Sequence, residues 1–186
     1  MDQSLCNIYE KVNKCDRCKL CKNRIVDCSF RGSEKSSIMF VGEAQGKNEC
    51  EKGKPFIGRS GKLLDKLLQT IGFNVEKDIY ITNLVKDRPI DPITGKDRKP
   101  FYDEIVACAP YLLEEIELLK PKLIITLGKT SGDWFANYEP YEINKFYPER
   151  KWLSLYHPAY LARSKEEIPK FVEAIKETLK KIGNNV

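Results

Sequence analysis

The sequence predicts an α/β fold: a three-layer α/β/α sandwich around a central, mostly parallel, four-stranded sheet. Three observations predict it. Short apolar runs of strand length alternate with stretches whose apolar residues recur at helical spacing. Each strand-like run ends in a glycine or a polar side chain, as strands do where they feed a ligand cleft. The chain has 186 residues, which suits a single domain with a substantial core.

Taken in order, the segment up to about Lys35 is cysteine-rich and basic. Ile38-Met39-Phe40-Val41 reads as a short buried strand, with Gly42-Glu43-Ala44-Gln45-Gly46 as the loop at its end. Gly53 to Gly58 is a second loop. Leu63, Leu64, Leu67, Leu68 and Ile71 follow at helical spacing, and Gly72 is the stop signal. Asp78 to Asn83 is the second strand, and a long basic loop runs from Lys86 to Pro100. Tyr102 to Lys120 is helical, with Ile105, Cys108, Leu112, Ile116 and Leu119 near one face; Pro110 either kinks this helix or lies in its first turn. Lys122 to Leu127 is the third strand and Ser131 to Phe135 opens a short helix. Trp152 to Tyr156 is the fourth strand, and Ile168, Phe171, Val172, Ile175 and Leu179 mark a closing amphipathic helix. No repeat or low-complexity region interrupts this pattern.

Composition narrows the classes. Hydrophobic residues make up 41% and charged residues 32%, a normal soluble balance. No apolar run is long enough to span a bilayer, and the N-terminus lacks a signal-peptide pattern. A cytoplasmic, monomeric protein is expected. The net charge of +5 permits a polyanionic partner without demanding one. Seven cysteines without a secretion signal point to metal binding rather than disulfides.

Three polar features fall at strand ends, where a parallel sheet gathers its ligand site: the Gly42–Gly46 loop, Asn83 and His157. Small residues in the first let backbone amides approach a flat ligand, and Glu43 adds a carboxylate. Phe56, in a loop rich in glycine and proline, is either core or a platform for an aromatic base. Asn83 offers a donor and an acceptor, and either ties loops together or reads a base edge. His157 is the chain's one histidine. It is either a turn residue beside Pro158 or a hydrogen-bond donor to a developing anion, and the sequence does not fix its protonation state.

Four motifs, in order, carry a resemblance: Gly42-Glu43-Ala44-Gln45-Gly46; Gly53-Lys54-Pro55-Phe56-Ile57-Gly58-Arg59-Ser60-Gly61-Lys62-Leu63-Leu64; Ile81-Thr82-Asn83-Leu84-Val85-Lys86; and His157-Pro158-Ala159-Tyr160-Leu161-Ala162-Arg163. From about Cys15 to about Arg163 the chain resembles the iron–sulfur, or family-four, uracil-DNA glycosylases. The resemblance implies a single catalytic domain over 1–186, with the cysteine-rich segment packed on it through a metal cluster. It implies a monofunctional DNA repair glycosylase that flips uracil out of DNA and hydrolyses its N-glycosidic bond. Gly42, Ala44 and Gly46, with Phe56 above them, would hold the base. Asn83 would read its edge, and His157 would hydrogen-bond the carbonyl that gains charge. Glu43 would line the pocket beside the 5-position and orient water or shape the pocket. Tyr160, Leu161 and Arg163 would lie on the loop that enters the duplex. The partner implied is DNA containing uracil.

The metal ligands are where the chain departs from that pattern. Cys15, Cys18 and Cys108 match three ligands of a [4Fe–4S] cluster, but Asp87 stands where relatives place the fourth cysteine. Asp87 is the positional candidate. Cys21 is the chemical one, because Cys15, Cys18 and Cys21 form a CxxCxxC run. Cys28 and Cys50 are further options, and zinc on the same residues is the rival metal. Gln45 replaces the proline usual in the first loop. The Asp87–Cys108 segment is also longer than usual, and Lys96, Arg98 and Lys99 on it are candidates for phosphate contacts.

Leu127-Gly128-Lys129-Thr130-Ser131 has the ending of a phosphate-binding loop, but the glycine required five residues before Gly128 is Leu123. Nucleotide hydrolysis is rejected. Two other readings stay open: a non-catalytic nucleic-acid- or uracil-binding protein with a structural metal site, and a glycosylase for another deaminated base such as hypoxanthine.

Overall fold

Five strands form one sheet in the computed structural model, which describes residues 3–138 and 151–183. They are β1 (Arg31–Gly32), β2 (Ile38–Ala44), β3 (Tyr80–Val85), β4 (Leu123–Leu127) and β5 (Lys151–Leu155), in the spatial order β1-β3-β2-β4-β5. The last four pair in parallel, as the sequence predicts. The fifth strand corrects the expected count of four. β1 is a two-residue antiparallel edge strand, Arg31 opposite Ile81 and Gly32 opposite Tyr80. It is too short to show alternation. It fits because Gly32 has a positive φ of 90° and no side chain: a Cβ there would sit 2.1 Å from the Ile79 carbonyl oxygen.

The three central strands, β3, β2 and β4, bury both faces, so their side chains split between two cores. Met39, Val41, Tyr80 and Ile124 face one side. There they pack on α1 (Gln3–Asn13), α5 (Tyr102–Leu119) and the aromatic pair Trp134 and Phe135 of α6 (Lys129–Tyr138). Ile38, Phe40, Ile81, Ile125 and Leu127 face the other. They pack on α3 (Arg59–Thr70), α4 (Val75–Asp78), α7 (Pro158–Leu161) and α8 (Ile168–Lys181). Helices therefore cover both faces, the α/β/α layering expected.

Four helices were not foreseen: α1, α2 and the four-residue α4 and α7. α1 carries Leu5, Ile8, Tyr9 and Val12 at i, i+3, i+4 and i+7, and all four are buried in the first core. Leu20 and Cys28 join that core too, so apolar packing ties the cysteine-rich segment to the sheet. α2 (Lys47–Lys52) is a single polar turn and half with no apolar period to betray it. In α5, Pro110 lies inside the helix rather than in its first turn.

Candidate active site

Polar residues gather where β2 and β4 end side by side. The chain leaving β2 goes to α3 on one face, and the chain leaving β4 goes to α6 on the other. Such a switch point opens a crevice at the carboxyl edge of the sheet. A cavity of about 470 Å³ lies there, lined by Glu43 to Gly46, Phe56, Asn83, Leu127 to Thr130, His157, Tyr160 and Arg163, among others. That volume suits a small flat ligand.

Gly42 organises the floor. The parallel register sets it directly beside Asn83. A Cβ at Gly42 would lie 2.3 Å from Asn83 Oδ1 and 2.5 Å from Phe56 Cε2, so the missing side chain lets the amide and the ring meet. Phe56 takes a φ of 54°, unusual for a bulky residue. Its carbonyl accepts from Arg31 Nη1 at 2.8 Å, and Gly61 opens α3 so tightly against it that a Cβ would fall 1.8 Å from that oxygen. Arg31 is itself held by Asp65 at 2.9 and 3.0 Å and by Glu76 at 2.8 Å. The edge strand thus fixes the aromatic ring. Gly42→Ala is expected to weaken ligand binding in the cavity at least tenfold, by pushing Asn83 and Phe56 apart, while the sheet still folds. Equilibrium binding and circular dichroism on the same preparation check this.

Asn83 is 4% exposed, and its Oδ1 has no hydrogen-bond partner among the described residues. A buried acceptor left open costs about 1–3 kcal/mol unless a ligand or water satisfies it. His157 stands across the cavity, its ring 5.6 Å from that of Phe56. Burial first, and the nearby Arg163 charge second, push its imidazole down to about 4, so it is neutral at pH 7. Its Nδ1 accepts from the Ala159 amide at 3.1 Å, which places the proton on Nε2. The protonation question left open by the sequence thus has a geometric answer: one neutral imidazole with one donor to offer. Gly128, with a φ of 99°, keeps the wall thin beside it; a Cβ there would sit 3.2 Å from His157 Cβ.

Glu43 accepts a hydrogen bond from Thr130 Oγ1. Thr130 belongs to the segment with the phosphate-loop ending, and its hydroxyl instead pins the pocket carboxylate. Glu49 also lines the cavity, and its Oε1 accepts from the Gly58 amide at 2.7 Å. Neither residue was picked out from the sequence.

Tyr160 and Arg163 line the cavity mouth, and the Tyr160 ring lies 4.7 Å from that of Tyr156. Leu161 corrects the expectation for its loop. It is 0% exposed and packs in the core of the second face, so it is not presented to a duplex. α7 turns that side chain inward while its neighbours point out. Arg98 also differs: its guanidinium is held by both oxygens of Glu104, at 2.7 and 2.6 Å, which leaves exposed Lys96 and Lys99 as the free cations of that loop.

A second, small cavity lies between α1, the Lys19–Asn23 turn and α5. Cys15, Cys18, Cys21 and Cys108 line it together with Arg24 and Asp87. The three cysteines matched from the sequence therefore meet, and so do both candidates for the fourth ligand. Burial would raise the Cys15 thiol, but hydrogen bonds from Tyr111 and Arg17 outweigh it and bring it below the ordinary thiol range. Burial pushes Cys108 up to about 12. Its sulfur accepts from the Lys86 amide at 3.2 Å. Among the described residues, no three ligand-type side chains converge on one point as a single ion requires. Four thiols around one enclosed space do match the donor chemistry of an iron–sulfur cluster, whose ligands are spread over several iron atoms.

The family model of the uracil-DNA glycosylase superfamily matches residues 30–182, a span that covers this α/β/α sheet and the cavity at its switch point. The chain belongs to that superfamily, in the branch of the type-4 uracil-DNA glycosylases. It is 48% identical to the type-4 uracil-DNA glycosylase of Saccharolobus solfataricus over 68% of its own length, a match spanning 56% of that relative. It is 33% identical to the Archaeoglobus fulgidus enzyme of the same name over 97% of the chain and 92% of the relative. The Thermotoga maritima type-4 uracil-DNA glycosylase is 34% identical over 95% of both chains. No helix among the described residues is long and apolar enough to cross a membrane.

Proposed function

We propose that this single-domain chain is a monofunctional uracil-DNA glycosylase, which flips uracil from DNA and hydrolyses its N-glycosidic bond to leave an abasic site. The observation that carries this reading is the buried, unpartnered Oδ1 of Asn83 beside Phe56 and His157. Uracil has a proton on N3 that this oxygen accepts; cytosine has none there, so the same pocket leaves two acceptors facing each other. A flipped base is read in this way, by its pairing edge and by stacking. Gly42, Ala44 and Gly46 give the backbone close access to the ring, and Phe56 supplies the stacking face.

Cleavage moves the electrons of the N1–C1′ bond onto the base, and the negative charge collects on its carbonyls. The Nε2–H of His157 donates to the carbonyl beside N1. Because the imidazole is neutral, it stabilises the anion as a hydrogen-bond donor and keeps its proton. Water adds its hydroxyl to C1′, and its proton neutralises the uracil anion, so one C–N bond is exchanged for one C–O bond. Glu43, anchored by Thr130, sets a negative charge in the same cavity, where it favours the cationic sugar and orients that water. Tyr160 and Arg163 sit at the mouth, where the strand enters.

The metal we propose is a [4Fe–4S] cluster held by Cys15, Cys18, Cys108 and a fourth ligand. When bound, it supplies a structural cross-link between the N-terminal segment and α5. Zinc is the outcome that iron and sulfide analysis would report instead.

The deciding experiment uses labelled oligonucleotides with one uracil, one hypoxanthine or one cytosine, incubated with the protein and then treated with alkali. Strand scission at uracil alone is expected. Scission at hypoxanthine but not uracil would reassign the substrate, and binding without scission would make the chain a binding protein.

A further inference from the structure

We infer that the fourth cluster ligand is Cys21, and that Asp87 serves instead as the fixed counter-charge of Arg24. This rests on the cluster reading above.

Of the chain's seven cysteines, four line the small cavity: Cys15, Cys18, Cys21 and Cys108. The other three are placed elsewhere. Cys6 is on α1 and does not reach the cavity. Cys28 is buried in the first core, its amide bound to Asn13 Oδ1 at 2.8 Å. Cys50 is on α2, and its thiol donates to the Asn23 carbonyl at 3.2 Å. A four-thiolate set is thus complete in one place without Asp87.

Asp87 lines the same cavity, but both of its oxygens are already in use. Arg24 Nε donates to Oδ1 at 2.8 Å and Arg24 Nη2 to Oδ2 at 2.7 Å, a two-bonded, nearly buried pair. The same guanidinium reaches the carbonyls of Asn13 and Cys15, closing the chain around the cavity. To ligate iron, Asp87 would have to give up at least one of these bonds and strand a buried cation. Cys21 has no such obligation. It lies in the Lys19–Asn23 turn, where the spacing from Cys18 brings its side chain back to the cavity that Cys15 and Cys18 face. A carboxylate is also a harder, less usual ligand for a cluster than a thiolate. The two assignments fit together: with a third cysteine in the N-terminal run lining the cavity, position 87 is left to anchor Arg24.

The test compares Cys21→Ser and Asp87→Asn in the full chain. Both keep side-chain size, and asparagine retains an acceptor for Arg24 while losing the anionic oxygen that would bind iron. Iron and acid-labile sulfide per chain, visible absorption and electron paramagnetic resonance are measured, with circular dichroism to confirm folding. The unaltered protein should hold about four irons per chain. Cys21→Ser should lose at least one iron per chain, with either a three-iron resonance or complete bleaching. Asp87→Asn should keep the iron count and the spectrum and lose only thermal stability. Iron loss in Asp87→Asn with retention in Cys21→Ser would overturn the assignment, as would retention in both or loss in both. If the unaltered protein instead held zinc and no sulfide, the cluster reading itself would fail, an outcome distinct from a wrong ligand.

Discussion

His157→Ala is expected to cut the rate of uracil excision by about 10²–10³-fold while binding to uracil-containing DNA survives. The loss follows from what the imidazole offers. It is neutral and its Nδ1 is occupied by the Ala159 amide, so its single proton is on Nε2, in a ring that lines the cavity. Alanine removes the donor to the developing anion but leaves Phe56, Asn83 and the backbone floor, which bind the ground state. Single-turnover excision and equilibrium binding separate the two effects. A loss of binding equal to the loss of rate would mean that His157 merely holds the base. The pH profile gives an independent check. With its folded value depressed to about 4, His157 stays neutral through the range where a free histidine protonates. Excision that depends on His157 should therefore be flat from pH 8 down to about 5 and fall only as pH approaches 4. The stability sign agrees. The unfolded chain takes up a proton near pH 6.5 and the folded chain resists it, so this residue's contribution is intact above 6.5 and declines as pH drops toward 4.

The residues that line the pocket are the easiest to read. Asn83 lies toward the carboxyl end of β3 and His157 two residues past β5, and parallel strands of one sheet point those ends at one crevice, so position along the chain brings them together. What lies behind them was harder to see. Thr130 was dismissed with a failed phosphate-loop match, although its hydroxyl anchors Glu43. Arg31 shows no pattern at all in a two-residue strand, yet it carries the Phe56 carbonyl. These are contacts between residues far apart in sequence, and no local period encodes them. Leu161 shows the converse. A loop motif implies exposure for each of its members, but this four-residue helix buries two of them, Pro158 and Leu161. α1 does carry a local signal, apolar residues at i, i+3, i+4 and i+7, within a segment whose composition is dominated by cysteines and basic residues.

The largest stability effect should come from the buried pair beneath the pocket. Lys86 Nζ lies 3.0 Å from each carboxylate oxygen of Glu115, and the two side chains are 3% and 0% exposed. The same ammonium donates to Thr82 Oγ1 at 2.7 Å and to the Asn83 carbonyl at 2.9 Å. Every proton it has is spoken for, and Glu115 is its one anionic partner in that set. Glu115→Ala leaves an unpaired charge in the core and is expected to cost about 3–5 kcal/mol. For a domain of this size that lowers Tm by roughly 10 °C, readable by calorimetry. Replacing both partners together, as Lys86→Met with Glu115→Leu, should recover most of that loss, because no charge is then stranded and the volume is kept. A double variant as unstable as Glu115→Ala would mean that packing, not charge, holds this layer. The recovered protein should still be impaired in excision. Lys86 is the donor that fixes the Asn83 carbonyl, and removing it loosens the side chain that faces the base. Stability restored without activity would separate the two uses of the pair: the carboxylate neutralises the lysine, and the lysine holds the asparagine in register with Gly42.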